Sequence, residues 1–205
     1  MPLVLLIRHA ENQFVKNGRL AGRLPGVLLN ENGLQQAQAL AEKLSQVPIK
    51  AIYSSPLERT IQTAQPVAKA HQLVIIPRPG LLEIDYGEWE GKTLKALRRR
   101  KLWRLVQQDP EWMRFPGGES FAEAQLRISQ EIQDLCRRHT ERDIFACVSH
   151  ADPIKLAIAF FLGLPLGRFQ QFAIAPASIS ALLFEASNVR LLTLNYDPNF
   201  SFSKL

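Results

Sequence analysis

With 205 residues, 46% of them hydrophobic and 21% charged, the chain has the balance of a folded protein with a sizeable core, which excludes a disordered one. Its apolar runs, Pro2–Ile7 and Leu156–Leu162, fall well short of the ~20 residues that span a bilayer, and no basic stretch precedes Leu3–Ile7, so that segment reads as a buried strand and not a signal peptide. A formal net charge of +6 favours an anionic partner (a phosphorylated metabolite, nucleic acid or an acidic surface), beside the plainer reading of surplus charge facing water.

Short apolar runs alternate with longer amphipathic stretches, the pattern of an α/β fold in one domain over residues 1–205. Leu3–Arg8 is the first strand. Asn32–Gln46 presents Leu34, Ala37, Leu40, Ala41 and Leu44 on one helical face, capped by Asn30 or Asn32. Ala51–Ser54 is a second strand, and Pro56–Ala70 a helix with proline in its first turn, where the missing N–H costs nothing. Leu73–Ile76 is a third strand. Residues 82–118 differ in character: rich in charge and tryptophan, helical over Leu94–Gln108, broken at Pro110 and Pro116. They read as an insertion that packs over the sheet edge and roofs a site. Ser120–Arg138 is one long helix and Ile144–Ser149 a central strand, apolar on both faces. Asp152–Leu162 is a helix, and Ile179–Glu185 with Arg190–Tyr196 a hairpin whose exposed edge offers a surface for a homodimer. Cys136 and Cys147 fall in a helical and a strand pattern, as buried thiols without disulfide or zinc spacing, which points to the cytoplasm.

Ligands of open α/β sheets bind at the carboxyl ends of the strands. The first strand ends in Arg8–His9, the second leads through Ser54–Ser55–Pro56 to Arg59, and the fourth ends in Ser149–His150. Guanidinium groups bind phosphate bidentately and helix N-termini add donors, so these ends make a phosphoryl pocket with histidines in reach. Each element alone has a plainer reading: Arg59 as a helix-surface residue beside Glu58 or Gln62, His150 as a satisfied buried histidine. Their coincidence at neighbouring strand ends carries the inference.

Leu6-Ile7-Arg8-His9-Ala10-Glu11 resembles the signature of the histidine phosphatase superfamily, the phosphoglycerate-mutase-like enzymes. Asn30–Ala37, Ser54–Thr60, Glu83–Gly91, Pro116–Ser120 and Val148–Ala151 match in the expected order, and Ala21–Val27 is similar to a bacterial branch labelled probable phosphomutase. The resemblance implies a three-layer αβα sandwich around a mostly parallel sheet. It makes His9 the nucleophile, which is itself phosphorylated, and His150 the second histidine. Arg8 and Arg59 become the phosphate clamp, and Glu83 the proton donor and acceptor. Gly22, Arg23 and Ala151 stand beside the phosphate, with no metal or cofactor required. Three positions depart from the pattern: Ala10 and Ala151 replace glycines but still offer a backbone N–H, and Val15 replaces an asparagine that contacts phosphate in many relatives.

In that scheme Arg8 and Arg59 keep His9 neutral and stabilise the transferring oxygens. A protonated His150 donates to the same oxygens, and Glu83 is held protonated by burial beneath Trp89. By spacing alone, Glu83 is one solvated acid among Asp85, Glu88 and Glu90. Trp89 and Phe14 line the pocket wall or belong to the core. The expected activity is hydrolysis of small phosphorylated metabolites, with phosphomutase transfer as the alternative and a non-catalytic phosphate- or nucleic-acid-binding protein as a further one. A metal-dependent hydrolase built on His9, His150, Glu83 and Asp85 lacks the ligand spacing. Arg98-Arg99-Arg100-Lys101 beside Trp103 lies in a helical pattern with no groove-reading motif, which argues against nucleic acid.

Overall fold

A computed structural model describes residues 2–197. The sheet has six strands: β1 (Leu3–Arg8), β2 (Ile49–Ser54), β3 (Ile75–Pro77), β4 (Ile144–Ser149), β5 (Ile179–Phe184) and β6 (Val189–Tyr196), in the order β3-β2-β4-β1-β5-β6. The first four run parallel, and β5 and β6 close the other edge antiparallel. The helices are α1 (Gln13–Lys16), α2 (Glu31–Leu44), α3 (Glu58–His71), α4 (Leu94–Leu97), α5 (Trp103–Gln108), α6 (Phe121–Cys136) and α7 (Ala151–Phe161).

The pleat of the central strands builds a core on each face. Leu5, Ile7, Ala146 and Val148 face α2 and α3, with Leu40, Leu44, Ala64 and Val67. Val4, Leu6, Phe145 and Cys147 face α6 and α7, with Ile128, Ile132, Ile154 and Ile158. This is the expected sandwich of helices on a mostly parallel sheet. Asn30 caps α2 through a bond from the Gly33 N–H, and Ser120 with Glu123 forms a capping box on α6.

Several boundaries differ from the sequence reading, each for a local reason. The third strand starts at Ile75 because Leu73 N–H closes the end of α3 on the Ala68 carbonyl, behind a left-handed Gln72 (φ 56°). Helix α3 begins at Glu58 because Ser55 N–H still bonds Val148 in the sheet; Pro56 lies ahead of the helix, and Pro66 sits inside it. The expected helix Leu94–Gln108 breaks into α4 and α5 between Arg98 and Leu102, where the backbone bonds tighten to three-residue turns, Arg100 N–H on the Leu97 carbonyl and Trp103 N–H on that of Arg100. On α2 the inward position is taken by Gly33 and not by Leu34, which is 51% exposed: a Cβ on Gly33 would meet the Glu11 carbonyl at 2.0 Å. No helix among the described residues is long and apolar enough to cross a membrane.

Candidate active site

The β1–β4 register pairs Arg8 with Ser149, so the next residues, His9 and His150, leave the sheet side by side. His9 N–H extends the ladder onto the Ser149 carbonyl at 2.9 Å, and the two imidazole rings stand edge to face with centroids 5.2 Å apart. Both rings are buried.

His9 Nδ1 lies 2.8 Å from the Ala10 carbonyl. A carbonyl only accepts, so Nδ1 carries the proton and Nε2 is left with a lone pair. Burial, then the positive charges of Arg59 and Arg8, hold the His9 pKa well below the ordinary histidine value, so the ring is neutral at pH 7. His150 is held low by burial and by Arg59 in the same way. Its Nδ1 accepts from Arg59 Nη2 at 3.3 Å and its Nε2 donates to Ser55 Oγ at 3.0 Å. The protonated His150 expected from the sequence is instead a neutral bridge between Arg59 and Ser55.

Arg59 is 1% exposed. One bond from its Nη2 goes to the Gly22 carbonyl at 2.7 Å, while its Nε and Nη1 are buried without partners, as is Arg8 Nε. Arg8 Nη1 donates to the Ile174 carbonyl at 2.7 Å. Gly22 is required by its positive φ (55°) and because a Cβ there would meet Glu90 Oε1 at 2.2 Å. Glu90 in turn accepts from the Arg23 N–H at 2.7 Å, which fixes the turn that aims the Gly22 carbonyl at Arg59.

Glu83 is 9% exposed and lines the same cavity, about 210 Å³, together with Arg8, His9, Arg59, Tyr86, Ala151 and Asp152. Burial and the nearby Asp152 charge push its pKa up to about 7, against the opposing pull of Arg59, the Ile84 N–H and Arg8. Asp152 stays below the usual carboxylate value: burial raises it, but Lys155 and the hydrogen bond from Tyr86 outweigh burial. Of this neighbouring pair, one carboxyl is thus poised to hold a proton and the other to stay ionised. Among the described residues no three histidine, cysteine or acidic side chains converge as a metal-binding set.

Arg8, His9, Arg59, Glu83, Gly22 and Ala151 line this cavity, His150 sits against His9 and Arg59 without lining it, and Arg23 does not line it. Its guanidinium is drawn aside to Glu119 (2.8 Å) and Asp85 (3.7 Å), and Nε donates to the Glu83 carbonyl at 2.9 Å. Trp89 does not line the cavity. It is core, stacked on Trp103 at 6.2 Å and edge-on to Phe115 at 5.3 Å, and Tyr86 is the aromatic beside Glu83. Phe14 lies half-buried under Arg19, outside the lining. Ala10 N–H is not offered to a ligand, since it donates to Thr63 Oγ1 at 2.9 Å.

The sequence model of the histidine phosphatase superfamily (branch 1) matches residues 4–197. The chain belongs to this superfamily. It is 34% identical to phosphoserine phosphatase 1 of Hydrogenobacter thermophilus over 197 residues, covering 95% of this chain and 92% of that protein. It is 27% identical to the 2,3-bisphosphoglycerate-dependent phosphoglycerate mutase of Thermoplasma acidophilum, again over 95% and 92%. Among solved structures, the Entamoeba histolytica phosphoserine phosphatase in complex with 3-phosphoglyceric acid superposes with a TM-score of 0.88 at 28% identity, covering 97% and 98% of the two chains. This histidine phosphatase also holds beside the site a residue that the sequence reading passed over. Arg127 of α6 grips Glu119 through Nε and Nη2 (2.9 and 3.0 Å) and donates to the carbonyls of Gly80, Leu82 and Glu83. Only its place on the inner side of α6, two turns past the Glu119–Ser120 motif, hints at that in the sequence.

Proposed function

We propose that the protein hydrolyses small phosphomonoesters through a phosphohistidine on His9. The observation that carries this reading is the buried set of Arg8 Nε, Arg59 Nε and Arg59 Nη1, cationic donors without partners around a neutral histidine whose Nε2 is free. Buried charged donors are stable only when something completes them, and a phosphoryl group offers the matching oxygens and charge.

His9 Nε2 attacks phosphorus, the P–O ester bond breaks, and its electron pair leaves on the alcohol oxygen. Glu83, protonated through its raised pKa, gives that oxygen a proton. The resulting carboxylate then takes a proton from water as the water oxygen attacks phosphorus, and the P–N pair returns to His9. Arg8 and Arg59 stabilise the transferring oxygens throughout. A bound phosphate dianion raises the pKa of His150, which then donates to it in place of Ser55.

Similarity to a named phosphoserine phosphatase (34%) and to phosphoserine phosphatase structures supports hydrolysis, while probable phosphoglycerate mutases at 32% keep transfer to a second hydroxyl as the alternative. Cys136 and Cys147, both unbridged, support action in the cytoplasm on phosphorylated metabolites. Phosphate release from a panel including phosphoserine and 3-phosphoglycerate, with chelator present, tests the proposal. Release by the wild type and none by His9→Ala is expected. Isomerisation of phosphoglycerate without release would replace hydrolysis by transfer.

A further inference from the structure

Asn12 lines the same cavity as Arg8, His9, Arg59 and Glu83, and no step above uses it. It is wholly buried. Its Oδ1 caps α1 by accepting from the Val15 N–H at 2.9 Å. That bond settles which way round the amide lies, because only the oxygen accepts. Nδ2 is therefore left as a buried donor, and it has no partner. An unpaired buried amide nitrogen is costly unless a ligand completes it, and the unpartnered donors of Arg8 and Arg59 belong to the same cavity lining.

Val15 lines the cavity too and brings only methyl groups. Many relatives, by the resemblance described above, carry at that position an asparagine that contacts phosphate. One turn earlier, this chain holds an asparagine whose donor is unused. We propose that Asn12 donates from Nδ2 to a non-bridging oxygen of the bound phosphoryl group, supplying the contact that Val15 cannot. The cap gives the donor its direction, since rotating the amide toward another partner would break the bond to Val15. The inference rests on the reading of this cavity as a phosphoryl site.

Calorimetric titration with inorganic phosphate tests it without turnover. Asn12→Gly removes the donor at a position where glycine is a tolerated cap, and Asn12→Asp keeps the cap oxygen and the volume. Both are expected to melt near the wild-type temperature. The Kd for phosphate should rise about tenfold in Asn12→Gly, the loss of one hydrogen bond to a charged group, and further in Asn12→Asp, which adds a repelling charge. Adding Val15→Asn to Asn12→Gly should restore most of the affinity, which a purely structural cap would not allow. Wild-type phosphate affinity in either single variant would reduce Asn12 to a cap and overturn the proposal alone. A wild type that binds no phosphate would overturn the phosphoryl site itself.

Discussion

At the amino end of β4, His139 bonds the Tyr53 hydroxyl through Nε2 at 3.1 Å, faces Asp143 through Nδ1 at 3.4 Å and stacks on Phe145. At the carboxyl end, His150 and His9 sit among arginine nitrogens that have no partners. The groove beside His139 is the larger space, about 820 Å³ against 210 Å³, and it is lined by Pro2, Cys136, Phe161 and Phe184 among others. Volume alone would therefore favour the end away from the paired histidines. Buried arginine donors left unsatisfied, together with a buried carboxyl pushed up to about 7 beside two imidazoles held low, favour the carboxyl end.

Substitutions break this comparison in order of effect. Arg59→Met should lower kcat/KM by at least ~10²-fold, because it removes charge from the transferring oxygens and the bond that orients His150. Activity within a few-fold of wild type would remove Arg59 from the site. Glu83→Gln should lower kcat by ~10²-fold or more. It should also abolish the fall in wild-type activity as pH rises through about 7, where the acid form is lost. An unchanged alkaline limb would assign the proton to another group. Arg127→Met, which removes one of the two donors on the Glu83 carbonyl and leaves Arg23 Nε on it, should cost a few-fold in kcat with little change in KM. A loss confined to melting temperature would make Arg127 structural only.

The smallest effects on turnover belong to the other end. Tyr53→Phe should cost about 1 kcal/mol of stability by removing a hydrogen bond, and leave kcat/KM unaltered. A drop in turnover at unchanged stability would erase the distinction between the two ends.

Much of the site was legible in the sequence because the apolar strands and the polar residues that end them are local features. Arg8–His9 and Ser149–His150 could be read as strand ends of one sheet, but the pairing of Arg8 with Ser149 that sets the two histidines side by side came from the β1–β4 register. Gly22 was legible as part of a motif, but its reason, the Glu90 carboxylate filling the space of a Cβ, was not. The fates of Arg23, Arg127 and Trp89 were not legible either. A long cationic side chain reaches anything within several ångströms, and its choice of Glu119 over the cavity depends on how residues 82–118 fold back on α6. The split of Leu94–Gln108 into α4 and α5 escaped for a different reason: helical periodicity continues through Arg98–Lys101, while the backbone there tightens into three-residue turns that periodicity does not register.

The most direct measurement is an alkaline quench of the enzyme during turnover of a phosphomonoester, followed by mass spectrometry of its peptides. A phosphoryl adduct on the peptide carrying His9, absent from His9→Ala and accumulating in Glu83→Gln, is the predicted result. Sustained phosphate release with no adduct in any of the three, or release that survives His9→Ala, would contradict a phosphohistidine mechanism.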